Sequence, residues 1–201
     1  MNLKYVIALS SLAISFHIKA TDKTCGVYWG TFDPPTRAHQ QIIMQAFSTG
    51  IDQLFVIINN HGHKQYAASI EHRIAMLTMI LPPEYPITIL VQDATRTWSM
   101  QELRDTFGES PTVGWHLFSG QENLAYWNPK NGTAQDTVFI IPREHAAPII
   151  PDCVTVLSIP ENCKAISSSA IRLYIKNKGT EWQSMVPEAV ATFIKEHQLY
   201  I

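Results

Sequence analysis

The 201-residue sequence carries no excess of positive charge. Its 15 lysines and arginines face 17 aspartates and glutamates, giving a net charge of −2 and a pI near 6.4. It also lacks any basic run or aromatic-interleaved basic patch, so the electrostatic footprint of a nucleic-acid-binding surface is missing. There is no internal repeat and no low-complexity segment, which sets repeat architectures aside. No interior stretch is long and apolar enough to span a bilayer. The three cysteines, Cys25, Cys153 and Cys163, show no Cys-x-x-Cys spacing, which argues against a zinc knuckle. His61-Gly62-His63, with His72 nearby, has no partnering carboxylate or cysteine, and no structural metal is assigned to it.

What is present is enough apolar material, 46% of the residues, for one well-cored domain. The N-terminus stands apart from it. A short positive start, Met1 to Lys4, precedes a mostly apolar Tyr5 to Phe16, with His17-Ile18-Lys19-Ala20 placed ahead of a cleavage point. This is the layout of a secretory signal peptide. Residues 1–22 are therefore expected to be a leader and residues 23–201 the domain. Export to a periplasmic or extracellular space follows if the leader works, and a cytoplasmic location if it does not; once it is cleaved, no stable membrane span is expected. In an oxidising space Cys153 and Cys163 can pair, with Cys25 buried in the first strand, whereas a reducing one keeps all three as thiols.

Along the rest of the chain, apolar runs alternate with helical patterns. Strands are expected at 24–29, 53–59, 87–92, 113–119, 137–141 and 154–158, as short runs apolar enough to be buried on both faces of a parallel sheet. Helices are expected at 37–47, 69–81 and 99–107, the second stopped by Pro82-Pro83. A last helix opens at Pro187, with Val190, Phe193, Ile194 and His197 on one face. This alternation predicts a single-domain α/β fold, a Rossmann-like doubly wound parallel sheet. In such sheets ligands bind at the carboxyl ends of the strands where the strand order reverses, so the loops after the first and fourth strands should flank a site.

Two stretches offer phosphate-binding chemistry. Gly30-Thr31-Phe32-Asp33-Pro34-Pro35-Thr36-Arg37-Ala38-His39 follows the first strand and opens a helix. Glycine permits close backbone approach, and the helix start presents unpaired N–H donors, with His39 beside them. Ile166-Ser167-Ser168-Ser169-Ala170-Ile171-Arg172 puts three hydroxyls at another helix start, with Arg172 one turn inside. Together they read as two sides of a nucleotide triphosphate site.

These residues also carry a resemblance. The first stretch resembles the (H/T)xGH motif of the nucleotidyltransferase superfamily, and the second its ISSTxIR motif. The intervening chain is similar to the nicotinate mononucleotide adenylyltransferase branch. The similar elements are His63-Lys64 followed by Ser69 and His72-Arg73-x-Ala-Met-Leu, then Thr97-Trp98-Ser99-Met100-Gln101-Glu102-Leu103, and Gly120-Gln121-Glu122-Asn123-Leu124 with Trp127. Val186-Pro187-Glu188-Ala189-Val190 and Leu199-Tyr200 match its last helix. The pattern departs from the branch at Trp29 and Ala38, which replace glycines, at Thr36, where a histidine is usual, and at Glu122, where an aspartate is usual.

The resemblance implies adenylyl transfer from ATP to nicotinate mononucleotide or its amide, yielding the dinucleotide and pyrophosphate in NAD biosynthesis. His39 and Thr36 would steady charge on the reacting phosphate. Gly30, Thr31, Phe32, Lys64, Arg143, Ser167, Ser168, Ser169 and Arg172 would hold ATP, with Mg²⁺ present as its counterion. Thr97, Trp98, Glu122 and Trp127 would surround the pyridine mononucleotide. The expected partners are these small molecules, without nucleic acid, and an oligomer is compatible. Two other readings are a sister nucleotidyltransferase with a different acceptor and an exported nucleotide-binding protein with little turnover.

Overall fold

The structure is a computed structural model, and it describes residues 23–61, 65–107, 114–120, 136–142 and 154–201. Six strands form one sheet: β1 (Cys25–Gly30), β2 (Gln53–Asn60), β3 (Ile87–Asp93), β4 (His116–Gly120), β5 (Thr137–Ile141) and β6 (Val154–Val156). Every pairing is parallel, and the strand order is β3-β2-β1-β4-β5-β6. This is the doubly wound Rossmann-like arrangement that the alternating pattern predicts. β1 has β2 on one side and β4 on the other, so the order reverses at its carboxyl end.

Strand β2 shows why a continuous apolar run becomes a central strand. Leu54 to Ile58 are all fully buried, and the period-2 alternation of side chains divides them between two cores. Leu54, Val56 and Ile58 join the larger core, while Phe55 and Ile57 join the smaller. The larger core is roofed by α1 (Arg37–Phe47), α2 (Ile70–Ile80), α5 (Ser168–Lys176) and α6 (Glu188–Glu196) through Ile42, Ile43, Met76, Leu77, Ile171, Val190 and Ile194. The smaller is covered by α3 (Met100–Phe107) through Leu103, with Trp115 beneath it. A short α4 (Glu161–Lys164) precedes α5, and a 3₁₀ turn (Glu181–Met185) precedes α6. Helix α2 stops at Ile80 ahead of Pro82-Pro83, and Leu81 is already extended. Among the described residues no helix is long and apolar enough to cross a membrane.

The face expected on the last helix is buried only in part. Val190 and Ile194 are buried with Ala191, but Phe193 is only half-buried and His197 is exposed. The Phe193 and His197 rings stack at 3.9 Å, beside His72 of α2. The buried stripe turns toward Ala191 because α6 packs on α2, and position 197 lies past the helix end. Cys25 is buried in β1 as expected, and Cys163 is buried in α4, where burial pushes its thiol up. Cys153, and with it the proposed pairing, lies outside the described residues.

A second histidine predicts an acid sensitivity. His116 opens β4 packed against Phe118 and Phe139, its Nδ1 2.8 Å from the Thr49 hydroxyl, and burial holds it below its ordinary value. Below its unfolded pKa of about 6.5, the unfolded chain binds the proton that the folded one refuses. Stability is therefore full above that pH and falls as the pH drops through it toward the folded value. Thermal melts at pH 7.5 and 5.5 should show this loss, and His116→Asn should reduce it.

Candidate nucleotide site

The loop after β1 is built around the packing of Phe32. Its backbone is left-handed (φ 53°), and its ring is buried under Gly30, edge-on to Tyr28 and His39. A Cβ at Gly30 would stand 2.5 Å from that ring, so only glycine fits. The Phe32 side chain thus forms the floor of the loop and offers a ligand only its backbone.

Thr36 is the N-cap of α1, in extended conformation, and it is fully buried. Its hydroxyl accepts from the His39 backbone N–H at 3.3 Å. In return the Thr36 N–H donates to His39 Nδ1 at 3.0 Å. This is a capping box with histidine in the place usually held by Glu or Gln. It has a chemical consequence. Because Nδ1 accepts a backbone N–H, it holds the lone pair, and the neutral ring carries its proton on Nε2. Thr36, expected beside the phosphate, also fixes the orientation and tautomer of His39, and its capping hydroxyl keeps a proton to donate. Ala38, also fully buried, lies between them on the core face of the helix, where a methyl is accommodated.

The second stretch meets the first. Ser167 caps α5 by accepting from the Ala170 N–H at 3.1 Å. Ser168 donates to the Pro34 carbonyl at 2.8 Å, and Arg172 donates from one guanidinium nitrogen to the Asp33 carbonyl at 2.6 Å. Its other terminal nitrogen bonds the Ser169 hydroxyl at 3.2 Å. Two helix N-termini, those of α1 and α5, are thereby bolted together through the carbonyls of one loop. Both carry partial positive charge where an anion is best placed.

Two buried charges that were not assigned a role hold this junction. Asp33 is 3% exposed, and its carboxylate accepts from the Ala67 N–H (2.8 Å), the Ala68 N–H (3.1 Å) and the Tyr200 hydroxyl (2.9 Å). Arg73 of α2 is fully buried and donates to the Thr31 carbonyl (3.1 Å), the Asn59 carbonyl (2.9 Å) and the Asn60 side-chain oxygen, with its guanidinium 4.1 Å from the Tyr66 ring centroid. Burial pulls the Arg73 cation below its ordinary range, and the nearby Asp33 carboxylate opposes that shift. The sequence held one signal for Arg73. It occupies the apolar stripe 73, 76, 77, 80 of α2, where every other member is a core side chain.

Of the residues expected around the acceptor, Thr97 is exposed and Trp98 half-buried in the turn after β3. The Trp98 indole N–H donates to the Val91 carbonyl at 3.0 Å, Arg96 lies 4.1 Å over its ring, and Phe107 stacks at 6.1 Å. Trp98 is thus anchored to β3, and a stacking ligand would have to take the place of Arg96. Lys64, Glu122, Trp127 and Arg143 lie outside the described residues. Among the described residues no three His, Cys, Asp or Glu side chains gather as a metal site.

The chain is similar to known proteins over most of its length. A protein of Listeria monocytogenes serotype 4a named "Probable nicotinate-nucleotide adenylyltransferase" is 28% identical over 186 residues, covering 87% of this chain and 96% of its own. A protein of Bacillus cereus with the same name is 25% identical over 186 residues, at 87% and 97% coverage. Among solved structures, Plasmodium falciparum nicotinic acid mononucleotide adenylyltransferase complexed with NaAD superposes with a TM-score of 0.67 at 21% identity. It covers 89% of this chain and 97% of that one. The same enzyme complexed with APC gives 0.66. Residues 27–173 match the cytidylyltransferase-like family model, a span that runs from β1 into α5 and takes in both bolted loops. The chain belongs to the cytidylyltransferase-like family.

Proposed function

We propose that the chain transfers the adenylyl group of ATP to the phosphate of nicotinate mononucleotide or its amide, releasing pyrophosphate. The observation that carries this reading is the junction of the two motif loops. The start of α1, with a histidine whose ring proton is held on Nε2, abuts the start of α5 with its serines and Arg172. The names of the relatives over nearly their whole length supply the substrate class.

The reaction is an in-line displacement in which an acceptor phosphate oxygen attacks the ATP α-phosphorus and pyrophosphate departs. It requires no protein nucleophile, only positioning and donors aimed at oxygens that gain charge. In this reading His39 Nε2–H meets the α-phosphate. The backbone of Gly30, Thr31 and Phe32 lets it approach closely. Ser167, Ser168, Ser169 and Arg172, with Lys64 and Arg143, hold the outgoing pyrophosphate. Thr36 steadies the same charge beside it and orients His39. Mg²⁺ enters as part of the MgATP substrate, carried by phosphate oxygens and water. Thr97, Trp98, Glu122 and Trp127 form the acceptor side.

The test is pyrophosphate release by the purified chain with MgATP and each pyridine mononucleotide in turn. Dinucleotide formation supports the reading, and the faster acceptor fixes the pyridine preference. Nucleotide binding with no product from either acceptor would overturn it. Separately, from the N-terminal pattern, we propose residues 1–22 as a leader ahead of the 23–201 domain. N-terminal sequencing of the mature protein should then begin between Thr21 and Lys23, and a start at Met1 would discard the leader and with it export.

A further inference from the structure

Beyond α6 the chain adopts a conformation that the helix itself does not require. Gln198 (φ 50°) and Tyr200 (φ 69°) are both left-handed, and neither is glycine. Such backbone is unfavourable for a residue with a Cβ and persists where surrounding contacts over-determine it. Those contacts can be named. Leu199 is buried, its N–H donates to the Ile194 carbonyl at 3.0 Å, and the turn brings the Tyr200 hydroxyl to 2.9 Å from Asp33 Oδ1. The Tyr200 ring packs against the larger core. Burial, with Asp33 beside it, pushes the phenol far above its ordinary range, so it remains a donor at working pH.

Asp33 joins three otherwise separate parts of the chain. Its side chain receives the Ala67 and Ala68 amides that lead into α2, and its carbonyl receives Arg172 of α5. The two amides engage one carboxylate oxygen each, and Tyr200 adds the shorter of the two bonds to Oδ1, at 2.9 Å against 3.1 Å from Ala68. The peptide of Asp33 belongs to the turn that ends at the Thr36 cap and sets the start of α1.

We infer that Tyr200 is a positioning residue for the nucleotide site: its hydroxyl fixes the Asp33 carboxylate, and through it the 31–36 turn and His39. The kinetic part of this inference rests on the adenylyl-transfer reading.

The test is Tyr200→Phe in the full chain, which keeps the ring and removes only the hydroxyl. Losing one hydrogen bond to a charged group corresponds to about a tenfold rise in the ratio of disordered to ordered turn. Hydrogen exchange of the 31–39 and 67–68 amides should quicken about tenfold. The kcat should fall about tenfold, with KM for ATP within about threefold of wild type. Asp33→Ala followed by Tyr200→Phe should cost little more than Asp33→Ala alone, because alanine leaves the hydroxyl no acceptor and both changes act on one contact. Unchanged exchange overturns the inference, and so does faster exchange with unchanged kcat, which would leave the bond merely structural. Should wild type form no dinucleotide, the functional reading fails separately. Exchange in the presence of a non-hydrolysable ATP analogue then decides the positioning claim. Protection of 31–39 must be present in wild type and diminished in Tyr200→Phe, and equal protection in the two would overturn the inference.

Discussion

Replacing His39 with alanine is expected to lower the turnover of adenylyl transfer by about 10²–10³-fold, the size seen when a preorganised donor is removed from a charge-developing site. The substitution also removes half of the capping box, so a loss of stability would accompany it and blur the result. His39→Glu separates the two effects. A glutamate at this helix position accepts from the Thr36 N–H as the imidazole does, so the cap and the melting temperature should be retained. It offers no donor and places negative charge against the phosphates, so turnover should fall at least as far as in the alanine variant. A His39→Glu protein that is stable and still active would remove the imidazole from the mechanism.

Replacing Arg73 is expected to have the largest effect on folding. Arg73→Met keeps much of the volume but leaves two backbone carbonyls and the Asn60 oxygen without their buried donor. It also strips Asp33 of a neighbouring cation. Removing one member of a buried charge network costs about 3–5 kcal/mol, a large part of a typical domain stability of about 5–15 kcal/mol. For a chain of this size the melting temperature should fall by roughly 6–20 °C. Arg73→Lys should recover only part of this, because an ammonium cannot span acceptors on three different residues as the planar guanidinium does. A melting temperature within a degree or two of wild type would show that the carbonyls find other donors.

The fold was largely legible in the sequence because its signals are local. β5 and α1 occupy the expected ranges, and the remaining strands and the long helices differ from theirs by at most a few residues at either end. Apolar run length, caps and proline stops set those ends. The site was legible as two motif loops but not as a set of roles. A threonine at a helix start satisfies both a phosphate-donor and an N-cap reading; the φ of −122° and the bond from the His39 N–H establish the cap and leave the hydroxyl proton to serve the other role. Trp98 is an aromatic in a loop, and nothing in its neighbours reveals that Val91, Arg96 and Phe107 occupy its edge and faces. Asp33 and Tyr200 stand 167 positions apart, a distance over which pattern and propensity say nothing. Arg73 could have been noticed as a cation in an apolar stripe, yet its three acceptors come from the ends of β1 and β2, which only the sheet order brings together.

The bonds from Ser168 to the Pro34 carbonyl and from Arg172 to the Asp33 carbonyl join segments 134 and 139 positions apart in the chain. Drawing two such segments together carries an entropic cost that folding has already met. A nucleotide arriving at this surface therefore does not have to assemble its two halves. The binding energy that joining these two loops would have taken remains available for the transition state. The thermodynamic mark of this arrangement is a small heat-capacity change on nucleotide binding, in contrast to the large one that accompanies coupled folding of a loop.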